Sequence, residues 1–239
     1  MKLDILAFAS HPDDVELGCA GTLIAHIAAG KSAGIIDLTE GELGTRGTPE
    51  VRMAEAAAAA KIMGVAVRDN LKMADGFFKN DREHQLQIVQ KIRRYRPELV
   101  IANALHDRHP DHGRGSELVT EACFKAGLRM IRTTDAQGNE QEAWRPKVVY
   151  HFIQDRMITP DLIVDVTPFW EKKMETIRAF KSQFYNPDDT SPNTYISSPE
   201  FLNFVESRAQ ELGHAIGVKY GEGFTADRRI GIRNLFDLI

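Results

Sequence analysis

Near the N-terminus an apolar run, Leu3–Ala9, passes directly into His11-Pro12-Asp13-Asp14. No other feature constrains the fold as much. Leu3, Ile5, Leu6, Ala7 and Phe8 leave almost no polar face, so the segment reads as a strand covered on both sides. Strands of that kind lie inside parallel sheets. Ionisable groups at the strand's end then fall at the carboxyl edge, where open α/β sheets bind their ligands. Leu17, Gly21, Ile24 and Ala28 follow at helical spacing, which predicts a helix over Val15–Ala29 with Gly30 as its stop.

The alternation continues along the chain. Gly34–Leu38, a short stretch near Val65–Val67, Leu99–Ala104, Lys147–Ile153 and Leu162–Val166 read as strands. Helices are predicted from Pro49 to Met63, over His84–Tyr95, Glu117–Ala126, Pro168–Phe180 and Phe201–Ala215. Gly41–Thr48, Asp75–Phe78, Thr133–Ala143 and Asn186–Pro199 read as loops or turns, and Gly221–Phe224 as a turn-like tail. A loop as long as Asn186–Pro199 in a compact domain is often functional. Strands alternating with helices imply right-handed crossovers. The expected fold is a single α/β domain over residues 1–239, with a mostly parallel, twisted sheet flanked by helices in a Rossmann-like arrangement.

Composition narrows the function classes. Of 239 residues, 43% are hydrophobic and 27% charged, as in an ordinary globule, and a net charge of −4 gives no footprint for nucleic acid. The Lys91–Arg96 run reads as a solvated helix face. Cys19 and Cys123 lack CxxC spacing, so each is expected to fill core space. The N-terminus shows no signal-peptide pattern and no run is long enough for a membrane span, so the expected location is the cytoplasm.

A second cluster, His106-Asp107-Arg108-His109-Pro110-Asp111-His112, follows the Leu99–Ala104 strand. One parallel sheet brings it to the edge that carries His11, Asp13 and Asp14. Two imidazoles and a carboxylate with an open position make a hydrolytic zinc site. One histidine and one carboxylate of the first cluster, with one histidine of the second, supply that set. The metal lowers the pKa of its water, a neighbouring carboxylate takes the proton, and a further histidine serves the oxyanion or the leaving amine. Either cluster alone also fits a turn with a capping Asp; it is their pairing that favours a site. His26, His84, His151 and His214 read as structural, with His151 kept as a candidate because it ends a strand on the same side. The Gly41–Gly47 loop lacks a Walker ending, and Gly18 and Gly21 do not form a dinucleotide fingerprint.

His11-Pro12-Asp13-Asp14 with the distal His109-Pro110-Asp111-His112 resembles the LmbE/PIG-L family of metal-dependent N-acetylglucosaminide deacetylases. Gly41–Gly47, Arg52-Met53-Ala54-Glu55, Asp75–Phe78 and Tyr220–Phe224 extend the resemblance over most of the chain. It implies His11, Asp14 and His112 as metal ligands and Asp13 as the general base. It implies His109 as the group that stabilises the tetrahedral intermediate or acts as acid, and Asp111 as the carboxylate that orients His109. It also implies Zn2+, with Fe2+ or another divalent ion as an alternative, a small-molecule N-acetyl sugar conjugate as substrate, and a homo-oligomer, with a hexamer as one form. Within the family the resemblance points to the branch that deacetylates N-acetylglucosaminyl malate in bacillithiol biosynthesis.

Recognition is expected from arginines, which bind carboxylates bidentately. Arg52 resembles a family arginine that reaches the substrate pocket, against the alternative of a helix-face residue paired with Glu50 or Glu55. Arg108 is a candidate contact for the malate carboxylates. Arg46 is either a substrate contact or a solvated loop charge. Deacetylation of another N-acetylglucosamine conjugate, such as an inositol glycoside, a chitin fragment or a thiol conjugate, and a non-catalytic metal-binding role are the rival readings.

Overall fold

The computed structural model describes residues 1–238. Five strands run parallel: β1 (Ile5–Ala9), β2 (Ala33–Thr39), β3 (Val67–Met73), β4 (Leu99–Ala102) and β5 (Val148–Phe152). With β6 (Leu162–Asp165) and β7 (Gly221–Ala226) they form one seven-stranded sheet of order β3-β2-β1-β4-β5-β7-β6. Strand β7 alone runs against the direction of the other six, pairing antiparallel with both β5 and β6. The single α/β domain with a mostly parallel sheet is as expected.

The helices are α1 (Asp14–Gly18), α2 (Ala20–Ala28), α3 (Pro49–Met63), α4 (Arg82–Tyr95), α5 (Pro110–Ala126), α6 (Trp170–Arg178) and α7 (Pro199–Ala215). Side chains along β1 alternate between two cores. Leu6 and Phe8 pack with Ile88, Val89 and Ile92 of α4 and Leu118 and Val119 of α5. Ile5, Ala7 and Ala9 pack on the other face with Val15, Leu23 and Ile24. Both faces are covered, which is why the strand reads as uniformly apolar. A third cluster joins α3, α6 and α7 through Ala56, Ala59, Trp170, Ile177 and Val205.

From β1 the sheet grows outward through β2 and β3 on one side and through β4 and β5 on the other. The crevice past the ends of β1 and β4 is therefore the topological switch point. Both ionisable clusters open into it.

Four elements differ from expectation, each for a physical reason. The Val15–Ala29 helix is broken at Cys19, whose φ of −149° leaves the helical region. The strand expected near Val65–Val67 runs instead over Val67–Met73, hidden by Arg68, Asp69, Asn70 and Lys72. Arg68 is polar but not solvated: it reaches Glu16 of α1 at 2.6 Å and Asp37 of β2 at 2.8 Å, an ion triad that pins α1 to the sheet. Helix α5 begins at Pro110 rather than Glu117, with Pro at its first position and His109 as its cap. Gly113 and Gly115 conceal its start, because glycine lowers helix propensity; a Cβ on Gly115 would stand 2.6 Å from Ser10 Oγ, so the glycine is required by the approach of β1. Gly221–Gly223 is not a tail turn but part of β7, paired between β5 and β6. Both cysteines are buried and free, as expected.

Candidate active site

Polar bonds between the ends of β1 and β4 hold the two clusters together. Ser10 N donates to Asn103 Oδ1 at 2.8 Å, and Ser10 Oγ donates to the Asp111 carbonyl at 2.9 Å. Asn103 Nδ2 donates in turn to Asp14 Oδ2 at 3.1 Å. The Asp14 carboxylate also accepts from the His11 N–H at 2.9 Å and from Gln154 Nε2 at 2.8 Å. Together with His112 of α5, these groups from the ends of β1, β4 and β5 fix one buried carboxylate.

His112 stands on the first turn of α5, with Nε2 3.1 Å from Asp14 Oδ1. Its other nitrogen, Nδ1, lies 2.6 Å from Asp107 Oδ2. His11 is arranged in the same way: Nδ1 faces Asp14 Oδ2 at 3.5 Å, while Nε2 meets Asp75 Oδ1 at 3.0 Å and Asp111 Oδ2 at 3.4 Å. Each imidazole therefore has a carboxylate behind it and turns its remaining nitrogen toward Asp14. Outer carboxylates of this kind set the tautomer of a metal-binding histidine. Ligand atoms of His11, His109 and His112 all lie within 4.8 Å of one another. Two nitrogens and a carboxylate oxygen, each oriented from behind, fit a divalent ion that accepts nitrogen and oxygen donors, zinc or Fe(II) among them.

The electrostatics suit a cation. Burial alone would lower both histidine pKa values, but the facing carboxylates outweigh it. His11 is raised well above its usual range by Asp111, Asp14 and Asp75, and His112 to about 9 by Asp14 and Asp107. Asp14 is held well below the carboxylate range despite burial, chiefly by the charge of His112 and the hydrogen bond from His11. The cluster already gathers positive charge in the form of protons, which a metal ion would displace.

Asp13 lies between His11 and Asp14 in sequence, on the β1–α1 turn, with φ 114°. A non-glycine residue there is strained, by about 1–3 kcal/mol. Arg52 of α3 supports the turn: Nη2 donates to the Pro12 carbonyl at 2.8 Å and to Asp13 Oδ2 at 3.2 Å, and Nη1 donates to the Gly41 carbonyl at 3.1 Å. Gly41, at φ 66°, leaves that room, since a Cβ would sit 1.9 Å from Arg52 Nη1. Burial pushes the Asp13 carboxyl up to about 7; Arg52 opposes the shift and Asp14 adds to it. A carboxyl near neutrality is suited to accept and return a proton. Arg52 is neither exposed nor paired with Glu50 or Glu55. It borders the cleft and bonds Asp13, so beside the substrate contact expected of it, it holds the Asp13 carboxylate in place.

His109 caps α5, and its Nδ1 accepts the Asp111 N–H at 3.2 Å. That leaves Nε2 as the protonated, donating nitrogen of a neutral ring. Burial lowers the His109 pKa, and the charges of His11 and His112 lower it further. Its ring stands 4.6 Å from that of His11 and 5.3 Å from that of His112. The expected orienting role of Asp111 takes a different form: its backbone, not its carboxylate, touches His109. The carboxylate accepts from Gly76 N at 2.8 Å and Arg114 Nη1 at 2.7 Å, and it faces His11.

The cleft over these groups has a volume of about 240 Å3. His11, Asp13, Asp14, His109, Arg52 and Arg108 border it. Arg108 lies at its margin with its guanidinium 4.3 Å from the Tyr195 ring centre and its Nε 3.4 Å from Asp155. Arg46 departs from both readings of the sequence. It is buried, ion-paired to Asp189, and its carbonyl accepts from Gln183 Nε2 at 2.6 Å. It ties the Gly41–Thr48 loop to the Asn186–Pro199 loop and does not border the cleft. His106 is exposed beside Arg156. His151 is fully buried against Ser116 at 2.6 Å and the Asn103 carbonyl at 3.1 Å, in the scaffold behind the site.

Sequence reasoning assigned no role to Asp107, Asn103 or Gln154. Asp107 lay within the second cluster and carried a signal. Asn103 and Gln154 carried none beyond their places after β4 and β5.

The profile of the PIG-L family, described as GlcNAc-PI de-N-acetylase, matches residues 6–123, a span that holds both clusters. The conserved protein TT1542 from Thermus thermophilus superposes with a TM-score of 0.85 over 98% of each chain, at 34% identity. The chain belongs to the PIG-L family. A diacetylchitobiose deacetylase from Thermococcus kodakarensis is 29% identical over 92% of this chain and 81% of its own length. A 4-oxalmesaconate hydratase from Pseudomonas putida is 24% identical over 74% of this chain and 73% of its own length. Deacetylases of the PIG-L family are metal-dependent hydrolases, and the His/Asp cluster is where this chain can hold an ion. No helix among the described residues is long and apolar enough to cross a membrane.

Proposed function

We propose that this PIG-L chain is a zinc-dependent N-deacetylase acting on an N-acetylglucosamine conjugate, with N-acetylglucosaminyl malate of bacillithiol biosynthesis as the foremost substrate. One observation carries the reading: Asp14, His11 and His112 converge while Asp13, with its carboxyl near neutrality, stands beside them in the same cleft. Bound there, a divalent ion supplies Lewis acidity to water and to the acetyl carbonyl.

The protein's own groups do the rest. Asp13 takes a proton from the attacking water as its oxygen bonds to the acetyl carbon. His109, neutral and donating through Nε2, stabilises the oxyanion. The C–N bond then breaks, the amine takes up the proton held by Asp13 or His109, and acetate leaves. Arg108 at the cleft margin offers a planar cation to the malate carboxylates. Other N-acetylglucosamine conjugates are alternatives within the same chemistry, since a diacetylchitobiose deacetylase is among the relatives. A cytoplasmic homo-oligomer is proposed as the working form.

The test is mass spectrometry of metal-loaded protein with N-acetylglucosaminyl malate, diacetylchitobiose and free N-acetylglucosamine. Acetate and free amine from the malate conjugate, at a kcat/KM well above the neutral sugars, support the assignment. Faster release from diacetylchitobiose moves the substrate; absence of acetate from all three rejects the deacetylase reading. A hydratase, which breaks no amide, gives that last result.

A further inference from the structure

Beyond His112 the cleft continues into a smaller chamber of about 40 Å3. Leu17, Arg108, His112, Gln154 and Ile196 border both spaces. One wall is apolar, made by Phe201, Val205, Ala209 and Leu212 of α7 with Ile153 after β5; Asp155, Lys173 and Glu222 also line the chamber. One water needs about 10–15 Å3 of such space, so the chamber holds a molecule of a few heavy atoms and not a sugar ring.

Arg208 of α7 borders this chamber. Its Nη2 donates to the Asp155 carbonyl. Nε and Nη1 are buried and have no partner among the described residues. A guanidinium stays charged at any working pH, and burying its N–H groups without acceptors is costly. The other two chamber-lining cations are engaged: Lys173 Nζ lies 2.6 Å from Glu222 Oε1 and 2.8 Å from the Leu17 carbonyl, and Arg108 Nε lies 3.4 Å from Asp155. Arg208 is thus the cation with donors to spare, beside the apolar α7 wall of a chamber whose two carboxylates, Asp155 and Glu222, already face Arg108 and Lys173, and which opens beside His112.

We propose that this chamber binds a small carboxylate, the acetate set free by deacetylation, with its methyl against α7 and its oxygens on Arg208. The proposal rests on the deacetylase reading. Amide hydrolysis yields one acetate per turnover at the metal cluster. A neighbouring pocket that matches both ends of that ion gives it a place to move aside while the larger amine leaves through the open cleft.

Three measurements on the metal-loaded protein test this. Acetate inhibition of initial rates is compared, against chloride, in wild type and in Arg208→Met. A charge-assisted bond of about 1.5–3 kcal/mol corresponds to an inhibition constant raised about tenfold or more. Ala209→Leu, which fills the chamber from α7, should weaken acetate similarly and guards against misfolding of the first variant. The stabilisation of the protein by acetate in a thermal melt should shrink in both variants; this arm needs no turnover, so it stands even if no N-acetyl sugar is cleaved. The third measurement is KM for a carboxylate-bearing and an uncharged N-acetyl sugar. Unchanged acetate inhibition and melting overturn the proposal. If Arg208→Met instead raises KM only for the carboxylate-bearing sugar, the chamber serves the substrate's acid group, and the product-site proposal is equally overturned.

Discussion

Asp107→Asn isolates the carboxylate behind His112. Asp107 Oδ1 accepts three backbone N–H groups, from Arg108 at 2.8 Å, Arg156 at 2.8 Å and Asp155 at 3.2 Å. Oδ2 faces His112 Nδ1. In the asparagine variant the three donors demand an oxygen at the first position. Turning the amide over would forfeit three hydrogen bonds, each worth about 1 kcal/mol. The amide nitrogen therefore falls opposite Nδ1 and donates to it. The His112 proton moves to Nε2, the nitrogen that must be bare to bind a metal. Loss of such an outer partner typically weakens metal binding about 10–100-fold, or about 1.4–2.8 kcal/mol. Competition against a chromophoric chelator at fixed pH measures this directly, with the melting temperature of the metal-free variant as a check that the loop is intact. A metal affinity within about twofold of wild type, in a folded variant, would refute the tautomer reasoning.

Four further outcomes are expected. In the metal-free protein the His112 pKa is raised to about 9, so a proton must leave before metal binds; apparent metal affinity should strengthen as pH rises toward 9. By the same shift, the stability His112 lends the metal-free fold is full below about 6.5 and is lost as pH rises through about 9, so melting temperature and metal affinity should move in opposite directions across that window. Asp13→Asn should keep its metal and lose about 10²–10⁴-fold in kcat, read from metal analysis beside steady-state rates; retained activity would remove Asp13 as the base. Arg68→Met leaves Glu16 and Asp37 buried without their cation and should cost about 3–5 kcal/mol in denaturant unfolding; a loss under about 1 kcal/mol would mean that water reaches the pair.

Legibility along the chain followed the physical origin of each feature. Strands covered on both faces are apolar at every position, and β1, β2 and β4 were readable for that reason. Edge strand β3 was not, because its inward charge, Arg68, is satisfied by Glu16 from another element. The glycines of β7 and of the first turns of α5 carry weak local preference, and packing overrode it. At the site, residue types at the strand ends pointed to the metal cluster. Arg46 and Arg52 show the limit of that reasoning. Both are arginines near a predicted pocket, yet one clips two loops together and the other grips Asp13 and the strained turn beneath it.

The sequence by itself determined the α/β class, the edge at which chemistry collects, and the donor types there. Those follow from local apolarity and from side-chain chemistry, which do not depend on distant partners. Tertiary structure decided which nitrogen of each histidine faces Asp14, that Asp75 and Asp107 stand behind the rings, that Asp13 is lifted toward neutrality, and that Arg208 is left with unpaired donors. Each of these depends on burial and on hydrogen bonds between residues tens of positions apart, and only the folded chain brings them within reach.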